Sequence, residues 1–290
     1  MSRMFRAGLL CLLALVALSV HARLFLWDAE RDGKHISLLG SIHLGRADFY
    51  PLAEPIETAF ARADTLVVEA DVSDPAAIAP LMPMTLLPEG LQLGSLLSAK
   101  QKRQLDQALL RTGLPRASAE RMKPWFLALT LSSLDMQAAG LATDQGIDLH
   151  YLRRARQQGK QIVELESAKG QFSLLDQLPQ ADAIALLAAS LDPATVKQIK
   201  PQLDAMLRAW QSGDAKAMRR VLDADIPRND PAMRRVSDKL FGLRNRAMLE
   251  KIEALAGQPA PLVVVGAGHL AGPDNLIDML KARGYRVTQY

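Results

Sequence analysis

The sequence predicts an α/β fold, in which a central mixed sheet is assembled from N-terminal, middle and C-terminal strands and large helical insertions form a cap. Short apolar runs cluster at both ends of the chain, and one more lies in the middle. Glycine, proline and polar turns bound each run, which is typical of β-strands. The long stretches between them are rich in leucine and alanine, and aromatic residues make up only 5% of the chain, a composition that favours helix. With 290 residues, 49% of them apolar, the chain can bury the core of one large domain.

The first element, residues 1–22, is predicted to be a secretory signal peptide and not part of the fold. Arg3 and Arg6 precede an apolar run that closes on small residues of the kind a signal peptidase reads. The run is short for a transmembrane span, and an uncleaved anchor is the alternative. The only cysteine, Cys11, lies in this segment, so the mature domain, residues 23–290, has no cysteine with which to form a disulfide. We expect a periplasmic or secreted protein that meets the membrane only through its signal segment.

The mature chain opens with two strands joined by a hairpin turn at Asp32-Gly33. A helix with apolar residues three to four positions apart leads into a third, buried strand. Two long helical regions, broken at prolines, flank a short fourth strand. After the fifth strand, a helix is expected to open at Pro273 and to close at Gly284, before the last strand. The predicted strands cover residues 23–30, 35–42, 64–70, 161–166, 261–266 and 285–290.

Titratable side chains stand at or just after the ends of four predicted strands. Two strands end in the pattern Gly-x-x-His, which places His43 near the start of the chain and His269 near its end. Glu69 and Glu166 close two further strands. Because sites in open α/β sheets form beyond the carboxyl ends of the strands, a fold that joins these ends would bring the two imidazoles together.

Imidazole and carboxylate are the usual ligands of first-row metals and also the usual general bases. A single histidine after a strand more commonly makes a structural hydrogen bond, but the repeated pattern favours a shared site. Ser41 shares a strand face with His43, and we interpret it as a hydroxyl that lines the site, because the chain has no G-x-S-x-G elbow. The helix expected at Pro273 would point its positive N-terminus at the same place.

Seven short motifs, taken together, resemble the TraB/GumN family, which is related to the Tiki metalloproteases and more distantly to the erythromycin-esterase and ChaN-like proteins. The resemblance covers essentially all of the mature chain. The motifs are Leu39-Gly40-Ser41-Ile42-His43, Val68-Glu69-Ala70-Asp71, Lys123-Pro124-Trp125, Gly146-Ile147-Asp148, Leu165-Glu166-Ser167, Arg244-Asn245-Arg246 and Val265-Gly266-Ala267-Gly268-His269-Leu270-Ala271-Gly272.

The resemblance implies a hydrolase-like α/β fold and a site in which the two histidines, His43 and His269, join an acidic residue, matched here by Glu69. On this basis the three side chains would hold a divalent metal, manganese, cobalt or zinc, which activates water and polarises a carbonyl. Glu166 matches the glutamate of the central motif, as a general base or a further ligand. Arg244 matches a family arginine that would hold a carboxylate or an oxyanion.

Three functions compete at this stage. The first is an exported, metal-dependent hydrolase, most simply a peptidase, and the number of ionisable groups expected at one point favours it. The second is a periplasmic binding protein for a peptide, haem or metal, since ChaN-like relatives are associated with haem. The third is a metal-free, esterase-like hydrolase with one of the histidines as base. The expected partner is a peptide or a small-molecule substrate; the net charge of +4 is scattered, which argues against a nucleic-acid surface, and the oligomeric state stays open.

Overall fold

The computed structural model of the protein describes residues 23–224, 231–257, 261–272 and 274–290. The predicted signal peptide, residues 1–22, and the predicted helix start at Pro273 lie outside the described residues. All six predicted strands form one mixed sheet, which confirms the predicted fold class. The strands are β1 Leu26–Arg31, β2 Lys34–Ser41, β3 Thr65–Val68, β4 Gln161–Glu164, β5 Pro261–Gly266 and β6 Arg286–Gln289.

The strands lie in the order β4-β3-β5-β2-β1-β6, so the first and the last segments of the chain meet in the middle of the sheet. β2, β5, β3 and β4 run parallel to one another, whereas β1 is antiparallel to both β2 and β6. β5 is a continuous apolar run because both of its faces are covered. The carboxyl ends of the four parallel strands therefore share one edge of the sheet.

The hairpin between β1 and β2 turns at Asp32 and Gly33, as the sequence predicts. Both residues have positive φ, 53° and 74°, which is the backbone that a two-residue hairpin with the strands' natural twist requires. The turn fixes the register that pairs β1 with β2 and places the end of β2 beside β5.

Helices fill two large insertions, one between β3 and β4 and one between β4 and β5. The helices are α1 Glu54–Arg62, α2 Pro75–Ile78, α3 Ala99–Thr112, α4 Arg116–Arg121, α5 Pro124–Ala138, α6 Ile147–Gln157, α7 Ala168–Asp176, α8 Gln180–Leu191, α9 Pro193–Gln211, α10 Ala215–Ala224, α11 Pro231–Leu240, α12 Gly242–Leu255, α13 Ala267–Ala271 and α14 Leu276–Ala282. Of these, α2 to α6 belong to the first insertion, and α7 to α12 belong to the second.

The insertions have apolar cores of their own, distinct from the core around the sheet. Leu105 of α3, Leu127 of α5 and Leu187 of α8 are fully buried in one such cluster. The second insertion is also tied to the sheet, because the indole Nε1 of Trp210 in α9 donates a hydrogen bond of 2.7 Å to the carbonyl of Gly40 in β2. The helical insertions thus form a packed layer that is anchored at the end of β2.

The helix expected before the last strand is α14, which ends at Ala282, two residues before Gly284. α14 begins at Leu276, because the side chain of Asn275 caps it by accepting a 2.9 Å hydrogen bond from the backbone N–H of Asp278. The helix that follows β5 directly is instead α13, which carries His269. Among the described helices, none has the length and apolar character needed to cross a membrane.

Candidate functional site

The four predicted titratable residues lie at the shared edge of the parallel strands. His43 follows β2 by two residues, Glu69 follows β3 directly, and Glu166 follows β4 by two residues. His269 lies in α13, which starts immediately after β5. The structure therefore brings the ends of all four strands to one place, as the strand pattern predicts.

Gly266, the last residue of β5, is the point on which three of these side chains converge. A Cβ added to Gly266 would lie 3.2 Å from Glu69 Oε1, 3.5 Å from His43 Nε2 and 3.7 Å from the Cδ2 atom of His269. The backbone N–H of Gly266 also donates a 2.6 Å hydrogen bond to Glu69 Oε1. The absence of a side chain at this one position leaves the centre of the site open.

His43 is oriented by Asp148, a residue in the first turn of α6. The Nδ1 atom of His43 lies 3.1 Å from Asp148 Oδ2, which turns Nε2 toward Gly266. The negative charge of Asp148 raises the pKa of the His43 imidazole to about 9, against the opposing effects of burial and, more weakly, of the Arg244 charge. Metal-free His43 is therefore an imidazolium at neutral pH.

The close approach of α6 to His43 depends on Gly146, where a Cβ would stand only 2.3 Å from the His43 carbonyl oxygen. Gly146 and Asp148 belong to the motif Gly146-Ile147-Asp148, which carried the family resemblance without an assigned role. Sequence reasoning thus missed Asp148 as a site residue, although the glycine two positions before it was a signal of tight packing.

His269 is oriented by Asn245 of α12, which the sequence analysis also missed. The amide Nδ2 of Asn245 donates to the carbonyl of Asp274 at 2.7 Å, so its oxygen faces His269 Nδ1, at 2.5 Å. An amide oxygen only accepts, so Nδ1 carries a proton. The other ring nitrogen, Nε2, lies 3.6 Å from Glu69 Oε1.

Glu69 and Glu166 are joined by Arg244 of α12. The Nη2 atom of Arg244 lies 2.5 Å from Glu69 Oε2 and 2.8 Å from Glu166 Oε2, and its Nε lies 3.0 Å from both oxygens of Glu166. The three side chains are only 10 to 15% exposed. Arg244 therefore lies between the carboxylates and not at the edge of the cleft, and the Glu166 carboxylate contacts Arg244 and Gln171 instead of the imidazoles.

Burial acts to raise the pKa of Glu69, but the neighbouring His269, His43 and Arg244 outweigh it and hold the pKa of Glu69 well below its usual range. Burial likewise opposes the charge on Arg244, whereas hydrogen bonds and charges from Glu166 and Glu69 raise the pKa of Arg244 above its usual value. The centre of the site thus holds an ionised carboxylate and an ionised guanidinium in contact.

The site opens into a cavity of about 470 Å³, a size typical of small-ligand and peptide side-chain pockets. His43, Glu69 and Arg244 line its polar floor together with Ser41, whose buried Oγ has no hydrogen-bond partner among the described residues. His269 lies behind this floor, only 3% exposed. The floor offers imidazole, carboxylate and guanidinium groups to a bound molecule.

The residue types at Gly266 suit a divalent metal, but the side chains are not drawn together as ligands. Within the part of the chain that the structure describes, no group of three or more His, Cys, Asp or Glu residues is placed to hold a metal ion. The fit lies in the donor chemistry. His43 and His269 each have Nδ1 beside an oxygen acceptor, which is the usual state of metal-binding histidines. Nε2 of His43 faces Gly266, and Nε2 of His269 faces Glu69.

Comparison with known proteins relates the chain to others by sequence. A family model described as TraB/PrgY/gumN family matches residues 25–289. The uncharacterised protein YbaP of Escherichia coli is 32% identical over 254 residues, covering 86% of this chain and 88% of that protein. Metalloprotease TIKI1 of Danio rerio is 26% identical over 314 residues, covering 91% of this chain but 62% of that protein. Metalloprotease TIKI2 of Danio rerio is 25% identical over 317 residues, covering 91% of this chain and 60% of that protein. No solved structure matches the chain significantly.

Proposed function

Because this chain belongs to the TraB/PrgY/gumN family, we propose that it is an exported hydrolase that cleaves a peptide substrate with the help of a divalent metal ion. The match confirms the resemblance carried by its motifs. The proposal extends to this chain the activity named for the Tiki relatives, which share 25 to 26% identity with it. The observation that carries it is the convergence of His43, Glu69 and His269 on the open position at Gly266.

The metal would be held by His43 Nε2, His269 Nε2 and the carboxylate of Glu69. Manganese, cobalt and zinc all accept this set of ligands. When bound, such an ion lowers the pKa of a bound water and polarises a substrate carbonyl. The 3.6 Å separation between His269 Nε2 and Glu69 Oε1, beside the open position at Gly266, brings two kinds of metal ligand close enough to share one cation.

The other residues of the site hold and orient these groups. Asp148 and Asn245 fix the two imidazole rings through Nδ1. Arg244 keeps Glu69 ionised and, being cationic, stabilises negative charge that develops on a substrate oxygen.

A metal-free hydrolase is the second candidate, and the pair formed by His43 and Asp148 favours it. A carboxylate on Nδ1 is the arrangement that orients a histidine base. However, the pKa of about 9 keeps the metal-free imidazole of His43 protonated at neutral pH, so this mechanism requires an activity that rises up to about pH 9. A metal-dependent reaction does not require the activity to rise up to that pH.

The test is peptide cleavage by the purified mature chain after chelation and after return of manganese, cobalt or zinc, together with elemental analysis of the protein. We expect activity to disappear on chelation, to return with one of the metals, and to be lost in His43→Ala and His269→Ala. His35→Ala is the matched control, because His35 is exposed at the start of β2 and far along the strand from the site. Activity that resists chelation would support the metal-free mechanism, and tight peptide or metal binding without cleavage would support a binding protein.

Export rests on the predicted signal peptide and has its own test. N-terminal sequencing of the protein recovered from outside the cytoplasm should give a chain that begins near Arg23. Recovery of that protein with Met1 in place would contradict cleavage and would leave the uncleaved anchor.

A further inference from the structure

One wall of the site cavity consists of apolar side chains that have little to pack against. Leu149 of α6 and Leu174 of α7 line the cavity and are only partly buried. Neither belongs to the hydrophobic clusters formed by the described residues. Val72, in the loop after β3, also lines the cavity and is 45% exposed. These side chains leave apolar surface in contact with water next to the polar floor.

The wall is backed by well-packed structure. Leu175 and Leu240 line the cavity and pack on their other side against the cluster that contains Trp125. α7 is held in place from behind, because Asp176 accepts hydrogen bonds from Lys123 Nζ at 2.5 Å and from the Trp125 indole at 3.3 Å. The apolar surface is therefore present before a ligand binds, and a ligand does not have to order it.

No charged side chain among the described residues lines the cavity away from its floor. The charged lining residues are His43 with Asp148 and Glu69 with Arg244, and each pair is in contact. A charged group against the wall would lose its hydration without gaining a partner, which is costly. An apolar group would remove both its own surface and the wall's surface from water, which is favourable.

We infer that the wall formed by Val72, Leu149 and Leu174 is a subsite for a bulky apolar side chain of the peptide, adjacent to the bond that the site cleaves. The inference rests on the proposed function and names the substrate class. Because wall and floor line one cavity, a leucine- or phenylalanine-sized group on the wall leaves its own backbone beside His43 and Arg244.

Binding of short peptides to the full mature chain tests the subsite independently of turnover. The probes are alanine-rich peptides that differ only in one central residue, Leu, Phe, Lys or Asp, and the His43→Ala variant prevents cleavage while binding is measured. We expect the Leu and Phe peptides to bind at least about 10-fold more tightly than the Lys and Asp peptides, because burial of one large apolar side chain contributes a binding free energy of that size. Leu174→Asp and Leu149→Asp should each weaken Leu-peptide binding by about 10-fold.

Leu110→Asp is the matched control, since Leu110 is 86% exposed and does not line the cavity. It should change neither binding nor melting temperature. Leu174→Lys is a second test, because this variant should bind the Asp peptide more tightly than the Leu peptide. Equal affinity for all four peptides, or wall variants that weaken all peptides equally, would overturn the subsite. Discrimination in binding with no cleavage by the chain carrying His43 would support the subsite and refute the proposed hydrolase.

Discussion

Arg244→Met should destabilise the metal-free protein far more than a surface change of the same kind. The substitution keeps most of the aliphatic volume of Arg244 and removes the charge that lies between Glu69 and Glu166. Glu166 loses three contacts of 2.8 to 3.0 Å and keeps only the 3.1 Å hydrogen bond from Gln171. Glu69 loses its 2.5 Å contact and keeps the N–H of Gly266.

The magnitude follows from burial. The side chains of Arg244, Glu69 and Glu166 are 13%, 10% and 15% exposed, so water cannot replace the lost partner. Removing one member of a buried ion pair costs about 3–5 kcal/mol, because the remaining charge is left without compensation. We expect the free energy of unfolding in urea, measured with chelator present, to fall by that amount at pH 7.

Arg286→Met is the control. Arg286 lies 2.6 Å from Glu30, nearly the same distance as Arg244 from Glu69, but the two side chains are 76% and 46% exposed. An exposed pair of this kind contributes less than about 1 kcal/mol. A similar loss of stability in both variants would refute the reasoning, since it would mean that burial does not set the energy.

The pH dependence of the free energy of unfolding gives a second check on the charge assigned to Glu69. The folded pKa of Glu69 is depressed, so in the wild-type protein this group stabilises the fold above its unfolded pKa, about 4.3, and the contribution is lost as pH falls. In the Arg244→Met variant Glu69 is still buried, but it has lost one of the positive charges that favour its ionised form. Protonation of Glu69 therefore removes part of the destabilisation in the variant. The difference in stability between the two proteins should therefore be largest near neutral pH and should shrink below about pH 4.3. A difference that stays constant on acidification would contradict the charge assignment.

Three further changes test the site. Asp148→Asn should bring the pKa of His43 from about 9 toward its ordinary value of about 6.5, as an NMR titration of the metal-free protein would record; an unchanged pKa would contradict the pairing. His269→Ala should lower the melting temperature by a few degrees, about 2–4 °C for each kcal/mol lost in a large domain, whereas His43→Ala should leave it nearly unchanged. The reason is burial, since the His269 side chain is 4% exposed and that of His43 is 61% exposed. Gly266→Ala should reduce turnover at least about 10-fold, because the new methyl group would lie 3.2 Å from Glu69 Oε1. The fold should persist, since the φ of −52° at Gly266 suits alanine. Full activity would show that this position is not the centre of the reaction.

The six strands and the edge at which the titratable residues meet could be predicted because both follow from local patterns. A strand that is buried on both faces, such as β5, is recognisable from its apolar run alone. The parallel pairing of β2 with β5, in which Ser41 lies opposite Gly266, then brings the two Gly-x-x-His segments together without further information.

The orienting residues could not be predicted in the same way, because they come from the insertions. Asp148 reaches His43 from α6, and Asn245 reaches His269 from α12, and no pattern in the chain fixes how these helices pack over the sheet. For the same reason the sequence left open which carboxylates Arg244 contacts, and in the structure they are those of Glu69 and Glu166. Glu166 follows its strand as expected, yet the direction of its side chain depends on where α12 places that guanidinium.

The unequal burial of the three proposed ligands indicates how they would come together around a metal. Glu69 is held by the N–H of Gly266 and by Arg244, and His269 is enclosed and fixed by Asn245, so neither can move without breaking buried contacts. His43 is the exposed member, and among the described residues its ring nitrogen Nδ1 has one partner, Asp148. A small rotation of the His43 ring is therefore the least costly way to close the ligand set, and Asp148, which stays within reach of Nδ1, would guide it. Glu69 and His269 would hold a metal with little movement, and His43 would have to give up a proton before its Nε2 could join them.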